Sequence, residues 1–151
     1  MSSTQQTRSS QRILVVDDDK DLVRSVQAYL AARGYSVETA ANGTEARAAI
    51  ARTTPDLVIL DVMMDTDAEG FAVAYALRED EATRRIPVIL LTGFLKHLDE
   101  KYAAFEHIQG QDWPGAELME KPVDLKKLGA AVAQHLAYAE SLKASLAPAV
   151  D

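Results

Sequence analysis

Four sites in this chain of 151 residues have side chains suited to chemistry, and each stands at the end of a short apolar run. The first run ends in Asp17-Asp18-Asp19, another in Asp61, a third in Thr92-Gly93, and the last leads into Lys121-Pro122. If the segments before Asp17 and Asp61 are neighbouring strands, Asp17, Asp18 and Asp61 converge. Crowded carboxylates repel one another and raise each other's pKa, so such a cluster is stable only with a proton or a cation present. Hard oxygen ligands with positions left for water suit Mg²⁺. A Lys and a Thr on the far side would hold the remaining oxygens of a phosphoryl group, one by charge and one by hydrogen bond.

The elements that must position these residues are legible as two alternating textures. Runs rich in Val and Ile occur at Ile13 to Val16, Leu57 to Leu60 and Val88 to Leu91, with a weaker one at Ala116 to Met119. They lack polar alternation, which suits strands buried on both faces of a parallel sheet. Tyr35 to Ala40 alternates and suits an edge strand. Between them, Leu22, Val26, Tyr29 and Leu30 share one helical face, with Gly34 expected at C′. Thr44 to Arg52 and Glu69 to Asp80 form the next helices, and Leu95, Leu98, Tyr102 and Phe105 mark a fourth. The last begins at Asp124, a good N-cap, and carries Leu125, Leu128, Val132, Leu136, Ala139, Leu142 and Leu146 along one side. Alternating strands and helices predict an open α/β sheet with helices on both faces and ligands outside the strands' carboxyl ends.

Composition narrows the partners. Hydrophobic residues make up 48% and charged residues 26%, the balance of an ordinary globular domain, and the length allows one such domain. The formal net charge of −7 argues against nucleic-acid or anionic-membrane binding. There is no cysteine, which removes disulfides and thiolate chemistry. No apolar run is long enough to span a membrane, and residues 1–11 read as a polar disordered tail rather than a secretory signal. The expected location is cytoplasmic.

Taken together, ILVVDDD, LVILDVMMD, ILLTG and MEKP resemble the receiver domain of two-component response regulators. The resemblance covers roughly residues 12–138, leaving 139–151 as an extension of the last helix and a tail. Any one motif is weak; four in order, each at the end of its expected strand, make a strong signal. The resemblance implies a flavodoxin-like doubly wound five-stranded parallel sheet of order 2-1-3-4-5. It implies that Asp61 is the phosphoacceptor, taking a phosphoryl group from a histidine kinase or phosphotransfer protein. Asp17, Asp18, Asp61 and the backbone carbonyl of Met63 would ligate Mg²⁺. Thr92 matches the switch hydroxyl, and Lys121 the lysine that pairs with the aspartate and then the phosphate. Lys121-Pro122 would be cis.

Three departures from the family pattern stand out. Asp65 occupies a position usually held by Pro, and Gly70 lies nine residues after Asp61 instead of eight. The stretch around His97 to Gly115 is longer than usual, which predicts a lengthened or reoriented fourth helix and a turn at Trp113-Pro114-Gly115. Leu118 stands where a Tyr or Phe normally couples to the hydroxyl residue, so a Thr–aromatic switch is not expected here. Met63 and Phe94, apolar at positions that line the approach of hydrolytic water, predict slow autodephosphorylation.

Blander readings hold elsewhere. Asp19 reads as a helix N-cap only. His97, His107 and His135 have no metal-ligand spacing, and Asp65, Asp67 and Glu69 read as a solvated loop. The expected activity is therefore that of a stand-alone receiver, not an enzyme in its own right, signalling through an unidentified downstream protein. Homodimers through the fourth and fifth helices are a further expectation. The rivals are a haloacid-dehalogenase-type phosphatase, for which Asp17 to Asp21 supplies only part of the motif, and a pseudo-receiver that only binds partners.

Overall fold

The computed structural model describes residues 10–61, 69–93 and 117–146. Five strands, β1 (Arg12–Val16), β2 (Ser36–Ala40), β3 (Leu57–Asp61), β4 (Val88–Thr92) and β5 (Glu117–Glu120), are joined by helices. The described helices are α1 (Lys20–Ala31), α2 (Gly43–Arg52), α3 (Glu69–Glu79) and α4 (Leu125–Leu146). The strands form one parallel sheet in the order β2-β1-β3-β4-β5, the expected flavodoxin-like arrangement. Register brings the carboxyl ends to one edge: Val16 lies opposite both Ala40 and Leu60, Asp61 opposite Leu91, and Thr92 opposite Glu120.

Each central strand buries both faces, which is why its sequence is continuously apolar. Leu14, Val16, Val58, Leu60, Val88 and Leu90 point to the side covered by α2 and α3, against Ala46, Ala49, Val73 and Leu77. Ile13, Val15, Leu57, Ile59, Ile89 and Leu91 point to the other side, against Val26 and Leu30 of α1 and Leu128, Val132 and Leu136 of α4. On that side α1 and α4 approach closely at Gly129. A Cβ there would lie 2.8 Å from Tyr29 Cε2, so only a residue without one fits beneath the ring. Arg33 stacks on the same ring, 3.9 Å from its centroid.

Side chains satisfy the open N–H groups at the helix starts. Asp19 Oδ1 accepts from the N–H groups of Asp21 and Leu22, each at 3.1 Å. Asn42 Oδ1 accepts from Glu45 N at 2.9 Å, while Glu45 Oε1 reaches back to Ala41 N at 2.9 Å. Asp124 Oδ1 accepts from Lys127 N at 3.2 Å, as its N-cap assignment requires.

The structure differs from expectation in details. Ala32 remains in the right-handed region as the C-cap of α1, so Gly34, with φ of 97°, falls two residues past the cap and not at C′. The glycine supplies the left-handed turn that leads into β2. The described part of the last strand runs from Glu117 to Glu120, and Ala116, where the apolar run begins, lies outside the described residues. The fourth expected helix and the Trp113-Pro114-Gly115 turn lie outside the described residues. At 22 residues α4 is about 33 Å long, and Tyr138 and Leu142 on it are exposed.

Candidate functional site

The site begins where β1 stops. Asp17 N donates to Ala40 O at 3.0 Å, so the chain is still tied to β2 at this residue. Asp17 Oδ1 then accepts from Asp19 N at 3.0 Å, an Asx turn that hands the chain to α1. Two features therefore fix the Asp17 carboxylate, the strand before it and the turn after it. Asp19 does more than cap the helix, because its backbone N–H also orients Asp17. An Asp two residues ahead of a cap residue is the sequence signal that would have shown this.

Asp61 ends β3, the middle strand, and is 1% exposed; Asp17 is 2% exposed. Asp18 is exposed. Carboxylate oxygens of Asp17, Asp18 and Asp61 all lie within 4.8 Å of one another. The three acidic residues expected to converge are thus together, two buried and one at the solvent edge. Thr92, fully buried, ends β4 one residue past Leu91, the register partner of Asp61.

Lys121 closes the cluster. Its backbone N–H donates to Thr92 O at 2.7 Å, which continues the β4–β5 pairing past the end of β5. The Lys121-Pro122 peptide is cis, as the resemblance implies. Lys121 Nζ lies 2.9 Å from Asp17 Oδ2 and 3.4 Å from Asp61 Oδ2. Burial by itself pushes the Lys121 ammonium pKa down, but contact with Asp17 and the charges of Asp61 and Asp17 outweigh it and hold the pKa above the ordinary value. Asp17 Oδ2 is buried, and the Lys121 ammonium is the partner that meets it.

Three carboxylates facing one ammonium leave an excess of negative charge, and Asp17 Oδ2 is buried with only that ammonium to meet it. Both observations suit a second cation. In an Mg²⁺ octahedron with bonds of 2.1 Å, opposite oxygens stand about 4.2 Å apart. The three carboxylates lie close enough to gather on one ion, and Asp18 leaves the site open to water. The donor set is all oxygen, as Mg²⁺ prefers. Met63, the other expected ligand, lies outside the described residues, as do Phe94, Asp65, Asp67, His97 and His107. Among the described residues His135 belongs to no metal-ligating group, and its Nε2 contacts Glu117 Oε1 at 2.9 Å.

Known proteins resemble this chain in sequence and in fold. Residues 13–133 match the response regulator receiver domain family, and the chain belongs to it. Phosphorylation on aspartate is characteristic of that family, whose members serve two-component systems. The chain is 43% identical over 115 residues to the response regulator PleD of Caulobacter vibrioides, covering 76% of this chain and 24% of that protein. It is 36% identical over 121 residues to the DNA-binding dual master transcriptional regulator RpaA of Synechocystis, covering 80% of this chain and 47% of that protein. The chain thus spans a quarter to a half of the length of these relatives. Among solved structures, a CheY-like receiver domain protein from Methanospirillum hungatei superposes with a TM-score of 0.74 at 26% identity, covering 88% of this chain and 98% of that one. A response regulator receiver domain protein from Clostridium thermocellum gives 0.72 at 25% identity, covering 87% and 98%.

Proposed function

We propose that Asp61 is the phosphoacceptor of this receiver domain, and that residues 12–138 are the unit that carries the reaction. The observation that carries the reading is Lys121 Nζ in contact with two buried carboxylates, Asp17 and Asp61, beside an exposed third, Asp18. An Asp61 carboxylate oxygen attacks the phosphorus of a phosphohistidine in line. The new O–P bond forms as the P–N bond breaks, and the imidazole leaves with the bonding pair. Burial raises the worth of every charge that meets the transferred group. Lys121 neutralises one phosphoryl oxygen, and the Thr92 hydroxyl donates to another. Asp17, Asp18, Asp61 and the Met63 carbonyl would hold Mg²⁺, which when bound neutralises charge developing on the phosphoryl oxygens.

The partners that follow are a histidine kinase or phosphotransfer protein upstream and a protein recognised by its surface downstream. Slow autodephosphorylation follows from apolar Met63 and Phe94. With Leu118 half-buried against the core in the usual aromatic position, signal output relies on movements other than ring rotation.

The test is incubation with acetyl phosphate and Mg²⁺, followed by intact mass. The wild type is expected to gain one acid-stable, base-labile phosphoryl group, and Asp61→Asn none. Equal incorporation in the variant, or multiple turnover of a phosphomonoester, would overturn the reading.

A further inference from the structure

The backbone N–H of Asp17 donates to Ala40 O at 3.0 Å, and the N–H of Ala41 donates to Glu45 Oε1 at 2.9 Å. The Ala40 carbonyl and the Ala41 N–H belong to one peptide unit, which is planar, so a hold on either end orients the other. Glu45 is tied to its helix. Its N–H donates to Asn42 Oδ1 at 2.9 Å, Ala46 N donates to Asn42 O at 2.9 Å, and Ala46 and Ala49 seat that helix in the core. The strand that carries Ala40 is less secure: β2 is an edge strand paired with β1 alone, and Ala40 is its one buried residue.

We propose that Glu45 is a positioning residue for the acidic cluster, acting on Asp17 through the Ala40–Ala41 peptide, a role that rests on reading the site as an ion-assisted phosphoacceptor. Two effects carry the influence across. The carboxylate pins the peptide plane from the helix side, which fixes where the Ala40 carbonyl meets the Asp17 N–H. Its negative charge on the Ala41 N–H also polarises the amide and makes the Ala40 oxygen a better acceptor, so the two hydrogen bonds strengthen each other. Asp17 is thereby restrained on both sides, by Glu45 through the peptide of β2 and by the Asp19 N–H on its own Oδ1. Glu45 is exposed and is not one of the three clustered carboxylates, so it reaches the ion and the phosphoacceptor only through Asp17.

The experiment takes the full chain as wild type, Glu45→Ala, Glu45→Gln and Asp80→Ala. It measures Mg²⁺ affinity by calorimetric titration of MgCl₂, and the NMR position of the Asp17 amide proton without Mg²⁺. Glutamine keeps an oxygen for the Ala41 N–H and removes only the charge. Asp80 makes a like contact in the turn before β4, at the opposite edge of the sheet, where its Oδ1 accepts from Ala82 N at 2.9 Å. It controls for the loss of an exposed turn bond. Glu45 is exposed, so its truncation removes no core packing. Glu45→Ala is expected to bind Mg²⁺ about three- to tenfold more weakly, less than the loss of a direct partner of a metal ligand causes, because a peptide intervenes. Glu45→Gln and Asp80→Ala should stay within about twofold of wild type. The Asp17 amide proton should move upfield in Glu45→Ala, as its bond to Ala40 O weakens, and stay in place in Asp80→Ala. Wild-type affinity in Glu45→Ala, equal weakening in Glu45→Gln or in Asp80→Ala, or an Asp17 amide resonance that Glu45→Ala does not move would each overturn the positioning role alone. A wild type that binds no Mg²⁺ would overturn the reading of the site itself, and the positioning role with it.

Discussion

The anionic half of the site and its cationic half are built to different standards. Asp17 and Asp61 extend strands in the middle of the sheet, where every residue of β3 and β4 is buried. Lys121 follows β5, an edge strand with three half-buried residues and one exposed. The carboxylates are thus mounted at the ends of central strands packed on both faces, and the ammonium follows an edge strand whose residues are half-buried or exposed. A carboxylate held rigidly keeps its ion geometry, while a flexible lysine stem serves two acceptors without disturbing either.

The largest test of this contrast is a cavity on each side of it. Leu60, fully buried in β3 next to Asp61, should lose about 3–4 kcal/mol on replacement by Ala, a fall in Tm of roughly 10 °C. Leu118→Ala, half-buried on β5, should cost about 1–2 kcal/mol by urea denaturation. Equal costs would show that β5 is packed as firmly as the centre, and the contrast would fail.

Next in size is ion binding. Mg²⁺ at a hundredfold its dissociation constant should stabilise the native state by about 2.7 kcal/mol, read as a rise in Tm. Asp18→Asn should reduce that gain, because it removes a carboxylate from the cluster, yet it should leave the ion-free Tm nearly unchanged, because Asp18 is exposed. A drop in ion-free stability comparable to that of Leu60→Ala would place Asp18 among the structural residues instead.

Sequence made the anionic half legible and left much of the cationic half hidden. Strands β1, β3 and β4 announce themselves as unbroken apolar runs because both their faces are buried, and an Asp or Thr closing such a run stands at the sheet's carboxyl edge. The strand order is not contained in those runs; it came from the resemblance. At β5 the apolar signal is weak for the same reason that the strand is half-exposed. Distances of a few tenths of an ångström, such as the preference of Lys121 for Asp17 over Asp61, depend on tertiary packing that spacing does not encode. The ring of Tyr29 over Gly129 and the pairing of His135 with Glu117 belong to the same class, since each joins segments far apart in the chain.

Smaller in effect, and specific to the lysine, is the response to alkaline pH. The folded-state pKa of Lys121 is raised above the ordinary value of 10.5. Its ion pairs therefore contribute fully below the unfolded-state value and are lost as pH rises through the folded one. The stability difference between wild type and Lys121→Met should be constant from neutral pH to about pH 10 and shrink above it. A difference that shrinks instead between pH 7 and 9 would mean that the two carboxylates do not hold the proton on Lys121.

The smallest expected effect concerns how the edge strand is tethered. His135 on α4 contacts Glu117, the first residue of β5, with side-chain exposures of 19% and 39%. A pair this open to water is worth about 0.5 kcal/mol, so His135→Ala should barely move the global Tm. Its local consequence should be larger than its global one. Because β5 has a neighbour on one side only, loosening its first residue should speed amide exchange along Glu117 to Glu120 while Leu57 to Asp61 in β3 exchanges at the wild-type rate. Faster exchange in both strands would mean that β5 opens together with the centre of the sheet, and the lysine would then be mounted as rigidly as the carboxylates it faces.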